Sequence, residues 1–210
     1  VEIFPVLNAM FERIYGESPY KSPTDMGVNM AGFCIVDDAA CRRASEQEII
    51  RRYYQSLCSL RQGLSEQEEV FKLELLMNQI GLKPESRAVV PAALARAEET
   101  GAPAVAMELP NGKLVTGKTS PLLGASSACL LNALKCLGGI PEDVLLISPN
   151  IIEPIQHLKV EHMGNHNPRL HTDEVLIALS ICAVTDPNAE RAMEQLAALA
   201  GGEVHSTVIL

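Results

Sequence analysis

The hydrophobic period of this chain changes part-way along, and that change constrains its fold more than any other feature. Early on, apolar residues recur at helical spacing, as in Phe4, Leu7, Phe11 and Ile14, with Gly16 closing the helix. After Gly101 the pattern becomes one of short strands among helices. Ala104–Leu109 reads as a strand, and Lys113–Thr116 as its return. Asn111-Gly112 between them predicts a tight hairpin turn with positive φ at both residues. A helical bundle has no place for that hairpin, and an all-β fold has none for the first half. The expected class is α/β: a helical subdomain over residues 1–82, then a three-layer α/β/α domain over 83–210 with a mixed sheet.

Local signals set the expected elements. Ser45-Glu-Gln-Glu48 and Ser65-Glu-Gln-Glu68 both read as capping boxes. They predict helices to Arg61 and Ile80, closed by Gly63 and Gly81, as an antiparallel helical hairpin. A helix over Glu85–Thr100 follows. In the second half, Ser126–Leu137 predicts an apolar helix and Asp143–Ile147 a buried central strand. Ser148-Pro149 and Asp186-Pro187 each place a capping side chain before a proline suited to a first helical turn. Asp173–Val184 is apolar nearly all round, which predicts a buried helix. Val204–Leu210 predicts a last strand.

Composition removes several functional classes. The 210 residues carry 17 Lys and Arg against 26 Asp and Glu, a formal charge of −9. That balance argues against nucleic acid and anionic membrane as partners, since both require clustered cations. The longest apolar run, Val175–Val184, falls well short of the ~20 residues of a membrane span. No basic-then-apolar leader opens the chain. Six cysteines without a C-x-x-C read as buried free thiols, and so as a cytoplasmic protein. The chain starts without Met and ends in a strand-like Val-His-Ser-Thr-Val-Ile-Leu, so the expectation is a portion of a longer protein.

Four segments concentrate polar chemistry. Gly112-Lys-Leu-Val-Thr-Gly-Lys-Thr119 matches the phosphate-loop pattern G-x-x-x-x-G-K-[ST]. Its first glycine belongs to the predicted hairpin, and no strand ending in Asp follows to hold magnesium, so the hairpin reading is preferred. Lys118, Thr119 and Ser120 are still expected just before a helix, where free N–H groups and a cation can hold an anion. His157, His162, His166 and His171 cluster without the spacing of a metal motif, so no metal site is assigned. In Pro168–Glu174, Thr172 or Asp173 can cap the next helix. Alternatively Arg169, His171 and Asp173 supply an anion clamp, a general acid/base and its orienting carboxylate. The loop Ser18–Asn29 offers Lys21, Thr24, Asp25 and Asn29 as further ligand-binding candidates.

Four stretches together resemble a known bacterial family: Phe4-Pro-Val-Leu7 with Gly16–Asn29; Gly117-Lys-Thr-Ser120 with Leu123–Ser127; Ile147-Ser-Pro149 with Glu153-Pro-Ile-Gln156; and Asn167–Ser180. The chain is similar to the uncharacterised domain-of-unknown-function family 1846. That resemblance implies a longer protein in which a nucleotide-fold-like domain precedes Val1. It also implies a helical domain followed by an α/β/α domain of cytidine-deaminase-like topology. The deaminase zinc motifs are absent, because the corresponding places read Lys118–Gly124 and Ser148–Glu153.

The residues therefore point to the ligand-binding or catalytic portion of an enzyme acting on a small anionic or nucleotide-like molecule. No cofactor is named. The expected cleft is lined by Lys118, Thr119, Ser120, Ser148, Asn150, Arg169, His171 and Asp173, at the ends of strands and the starts of helices. The alternative is a non-catalytic assembly domain. A homo-oligomer is expected in either case.

Overall fold

The computed structural model describes residues 4–19 and 38–208. Lys21, Thr24, Asp25 and Asn29 lie outside the described residues. The chain divides into two compact units, with the division after Arg87. That is a few residues beyond the expected boundary, because the 3-10 turn Pro84–Ser86 and the buried Arg87 go with the first unit.

The first unit is helical where described. Helix α1 spans Phe4–Tyr15 and ends at Gly16, whose φ of 83° suits only glycine. Helix α2 spans Asp38–Arg61 and α3 spans Gln67–Gln79. The two pack on each other across a turn at Gly63, with Ile49, Ile50, Val70, Leu73, Leu76 and Met77 buried. Both capping boxes fail. Ser45 lies inside α2, buried, because the Ala-rich stretch before it extends the helix back to Asp38. Ser65 precedes the cap position, which Glu66 takes with extended backbone and no side-chain hydrogen bond.

The second unit is α/β. Helix α4 (Val89–Thr100) is followed by strands β1 (Ala104–Glu108) and β2 (Leu114–Lys118), then helix α5 (Ala125–Gly138). Helices α6 (Pro149–His157), α7 (Thr172–Cys182) and α8 (Pro187–Glu194) follow, and strand β3 (Val204–Ser206) ends the described sheet. Helix α4 starts later than expected because Pro91 has no N–H to give and is tolerated only in a first turn. Ser148 and Asp186 cap α6 and α8 as their sequences predict, accepting from Asn150 N at 3.3 Å and Asn188 N at 2.8 Å.

The three strands run in the order β2-β1-β3, and both pairings are antiparallel, so the sheet is not mixed. The chain reaches β3 at the Glu108 end of β1, where Glu108 N–H bonds to the Glu203 carbonyl, and so must run opposite to it. The missing parallel strand is Asp143–Ile147. This segment is irregular: Leu146 and Ile147 plug the core beside α5 and α7, while Leu145 is 64% exposed. Among the described residues the outer edge of β2 is met not by a strand but by the Asn132 amide, which donates to the Thr116 carbonyl at 2.9 Å.

The β1–β2 turn also differs from the expected type. Leu109 C=O accepts Gly112 N–H at 2.8 Å across Pro110 and Asn111. Proline fixes a negative φ at the first turn position, so both central residues stay at negative φ and only Gly112, at 77°, turns left-handed. The phosphate-loop pattern is therefore a hairpin turn and a paired strand.

The pleat divides the packing. Val105 faces α5, clustered with Ala125 and Cys129, while Ala106 faces α4 with Val89 and Ala93. The other side of α5 carries Leu130, Leu131 and Leu134 into the core with Ile152, Val175, Leu179, Ala189 and Ala192. Each fully buried Leu or Val there contributes about 1.5–3 kcal/mol. Helix α7 is not buried all round. Val175, Ala178, Leu179 and Cys182 face inward, but Ile177 and Ile181 are each 63% exposed.

Gly117 sets the closeness of β2 and α5. A Cβ there would lie 2.1 Å from the Cys129 backbone nitrogen, so neither element can yield by rotating a side chain. Gly117→Ala should cost about 3 kcal/mol in urea unfolding, whereas Gly124→Ala, whose Cβ finds nothing nearer than 3.6 Å, should be well tolerated. Burial also pushes the Cys129 thiol from its ordinary 9.0 up to about 12. The folded state thus holds this proton more tightly than the unfolded chain. The corresponding stability is complete below pH 9.0 and declines toward about pH 12. Cys129→Ala should flatten that part of the stability–pH curve.

Candidate functional site

The chain after α6 makes a tight polar junction. Pro154 lies within α6, and the helix passes into a π-helical turn, Leu158–His162. That turn sends Lys159 inward until it is only 3% exposed. A buried ammonium needs compensation, and Lys159 finds it twice. Its Nζ lies 2.7 Å from Glu174 Oε2 and donates to the Arg169 carbonyl at 2.8 Å. The same Glu174 oxygen accepts the His171 N–H at 2.7 Å, so His171 occupies the N-cap position of α7 and Glu174 reaches back to it. Neither Thr172 nor Asp173 is the cap, since both lie inside the helix.

A second set of bonds straps this segment to the residues after β2. Leu123 and Leu170 form a parallel bridge. Leu170 N–H donates to the Leu122 carbonyl at 3.0 Å, and the Leu170 carbonyl accepts Gly124 N–H at 3.2 Å and the Ser127 hydroxyl at 2.9 Å. Gln156 Nε2 donates to the Pro121 carbonyl at 3.0 Å. Arg169 Nε donates to the Ser120 carbonyl at 2.8 Å. The Ser120 hydroxyl accepts from Leu122 N at 3.3 Å and Leu123 N at 3.0 Å. Ser120, Arg169 and His171 are thus held on one scaffold, with the Arg169 and His171 side chains exposed.

The other candidates are placed differently. His171 Nε2 lies 3.4 Å from the amide of Asn167, and among the described residues no hydrogen bond joins it to Asp173. Asn167 is itself fixed, accepting the Arg169 N–H through Oδ1 at 3.2 Å. Ser148 spends its hydroxyl on the Asn150 N–H at the start of α6. Lys118 ends β2 opposite Ala104, so it shares the pleat face of Thr116 and Ala106, the face covered by α4. His171 starts α7, which packs on the far side of α5 from the sheet. Lys118 and His171 therefore lie on opposite sides of the sheet, and the expected common cleft is split. Lys118, Thr119 and Ser120 also stand several residues ahead of α5 rather than at its first turn, where Gly124 is the cap. The pleat of the returning strand decides the first point and the Ser120–Leu123 turn the second.

His157 pairs with Glu161 at 3.0 Å on the surface, with the His162 ring 5.6 Å from its own. Among the described residues no three His, Cys, Asp or Glu side chains gather as metal ligands, and no helix is long and apolar enough to cross a membrane. Sequence reasoning missed Lys159, Gln156 and Glu174. Glu174 carried a usable signal, since a glutamate three residues after a cap is half of a capping box. Nothing local marked Lys159, whose burial depends on the π-helical turn.

Residues 85–210 match the family described as "Domain of unknown function DUF1846, C-terminal", and residues 1–81 match "Domain of unknown function DUF1846, N-terminal". The chain belongs to the DUF1846 family. Over all 210 residues it is 57% identical to "UPF0371 protein str1377" of Streptococcus thermophilus (strain CNRZ 1066) and 55% identical to a "UPF0371 protein" of Streptococcus pneumoniae (strain JJA). It spans 42% of the length of each. Helices α1, α2 and α3 fall within the N-terminal match, and the α/β unit within the C-terminal one.

The Lys159–Glu174 pair should couple strongly. Exposed ion pairs give about 0.2–1 kcal/mol in double-mutant cycles. Lys159→Ala, Glu174→Ala and the double variant, compared by urea unfolding, should give a coupling above about 1 kcal/mol, because Lys159 is enclosed.

Proposed function

We propose that the α/β unit is the ligand-binding or catalytic portion of an enzyme acting on a small anionic or nucleotide-like molecule. One observation carries this reading: an exposed arginine and an exposed histidine stand on a rigid, fully bonded junction. Arg169 is anchored through Nε at 2.8 Å, and its outer guanidinium nitrogens have no partner among the described residues. An arginine so anchored loses little freedom when it binds an oxyanion. His171 can give or take a proton beside that anion, with Asn167 in the positioning role first assigned to Asp173. Ser120 takes part through its carbonyl, as the anchor of Arg169. In the full-length protein, a nucleotide-fold-like domain ahead of Val1 would supply the rest of the enzyme, in the cytoplasm. The α/β unit is read as a reduced relative of the cytidine-deaminase topology without its zinc chemistry.

A second reading, an assembly domain forming a homo-oligomer, is favoured by α7. Ile177, Ile181 and Val184 form an apolar stripe at helical spacing, and Val184 is 81% exposed.

Thermal-shift measurements with inorganic phosphate, AMP and ATP decide between the two. A ligand at 100 times its Kd adds about 2.7 kcal/mol of stability. The enzyme reading expects such a shift, its loss in Arg169→Gln and its retention in Ile177→Ser. The assembly reading expects no shift and a melting temperature that rises with protein concentration and falls in Ile177→Ser.

A further inference from the structure

A cavity of about 530 Å³ opens at the outer edge of β2, beside the end of α5. Its size suits a small molecule. Three cations line it, Arg96 from α4, Lys113 from the hairpin and Lys135 from α5, against the single carboxylate of Glu142. In a chain of net charge −9 this concentration is unusual.

The donors around it are incompletely used. Arg96 Nη1 pairs with Glu99 at 2.6 Å, but Arg96 Nε is shut in without an acceptor among the described residues. This guanidinium is thus only partly satisfied among the described residues, and a swing toward the cavity would present its edge to an oxyanion. The β2 backbone adds a donor. Leu109 N–H bonds to the Lys113 carbonyl and Thr119 N–H to the Pro103 carbonyl, so every second residue of β2 points away from β1. Thr116 is one of these. Its carbonyl is taken by Asn132, and its N–H has no partner among the described residues. Lys135 donates to the Glu142 carbonyl at 2.9 Å, and burial draws its ammonium below the ordinary lysine value against the pull of Asp143 and Glu142. An incoming anion would favour its charged form. Leu114 and Ile140 supply an apolar wall.

We propose that this cavity binds a small molecule carrying one phosphate monoester on a compact apolar body. Arg96, Lys113 and the Thr116 N–H meet the phosphate, and Leu114 and Ile140 meet the body. A monoester carries about −1.5 to −2 charge at neutral pH, opposite in sign to the three lining cations. Glu142 repels a longer polyphosphate. The site is separate from Arg169 and does not depend on the function proposed for it.

The test is calorimetric titration of the full-length protein with phenyl phosphate, inorganic phosphate, benzoate and ATP. Phenyl phosphate should bind more tightly than the other three. Arg96→Gln and Lys113→Gln should each weaken it by at least about tenfold, and Arg169→Gln should leave it unchanged. Lys113 is exposed on the hairpin, so its variant tests the site without threatening the fold. The proposal is overturned if phenyl phosphate fails to bind at millimolar concentration, or if neither cavity variant weakens it. It is also overturned if Arg169→Gln alone abolishes binding, or if benzoate or ATP binds as tightly.

Discussion

The approach of α5 to β2 at Gly117 is the contact on which the second unit depends. The missing side chain lets the Cys129 backbone come close enough that even a methyl group would collide with it. That closeness puts Ala125, Cys129 and Ala133 of α5 against Val105, Leu109 and Val115 of the hairpin. It leaves the opposite face of α5, with Leu130, Leu131 and Leu134, free to build the larger core with α6, α7 and α8. One helix thus serves two cores. Small residues face the sheet and leucines face the helices, because the first interface is close and the second wide.

The strap between Leu123 and Leu170 is the second constraint. It joins segments far apart in sequence by backbone bonds on both sides of Leu170, whose side chain is completely buried. Arg169 and His171 flank this fixed residue, so their backbones have little freedom. The Lys159–Glu174 pair closes the arrangement from below the surface. A buried ion pair is poor evidence of net stability. Here it matters because Lys159 also holds the Arg169 carbonyl, and Glu174 the His171 amide. Backbone position is thereby fixed at Arg169 and His171, the two side chains on which the proposed function rests.

The two polar regions of the unit differ in kind. At the Arg169 junction almost every polar group is satisfied internally, and what remains is an exposed arginine and histidine on a rigid base. At the β2 edge the shape is concave, and a guanidinium nitrogen and an edge N–H lack partners among the described residues. Preorganisation favours the first as a place for chemistry, and unmet hydrogen-bonding capacity favours the second as a place for a ligand. The two share no lining residue: the cavity is bounded by β2, the hairpin, α4 and the end of α5, and neither Arg169 nor His171 borders it.

Short-range signals determined much of this protein by themselves. Ser148-Pro149 and Asp186-Pro187 start helices where their capping chemistry requires, and Gly16, Gly101 and Gly112 take the left-handed conformations that end helices or close the hairpin. The α/β character and the hairpin needed no knowledge of distant residues, since period and turn chemistry are local. Arg169 and His171 were legible as a polar segment before an apolar helix. Other features depended on what lay across space. Ser45 carries a capping sequence, but tertiary burial and a longer helix absorbed it. Asp143–Ile147 has the composition of a strand, but strand formation needs a neighbour with free backbone groups, and this segment fills a core between helices instead. Ile177 and Ile181 are as apolar as their buried neighbours, and only the packing of α7 leaves them bare. Lys159 looks like any surface lysine until a π-helical turn directs it inward to Glu174. Whether Lys118 and His171 share a site was likewise fixed only by pleat parity and helix layering, because the side of a sheet on which a residue falls is a property of the assembled fold.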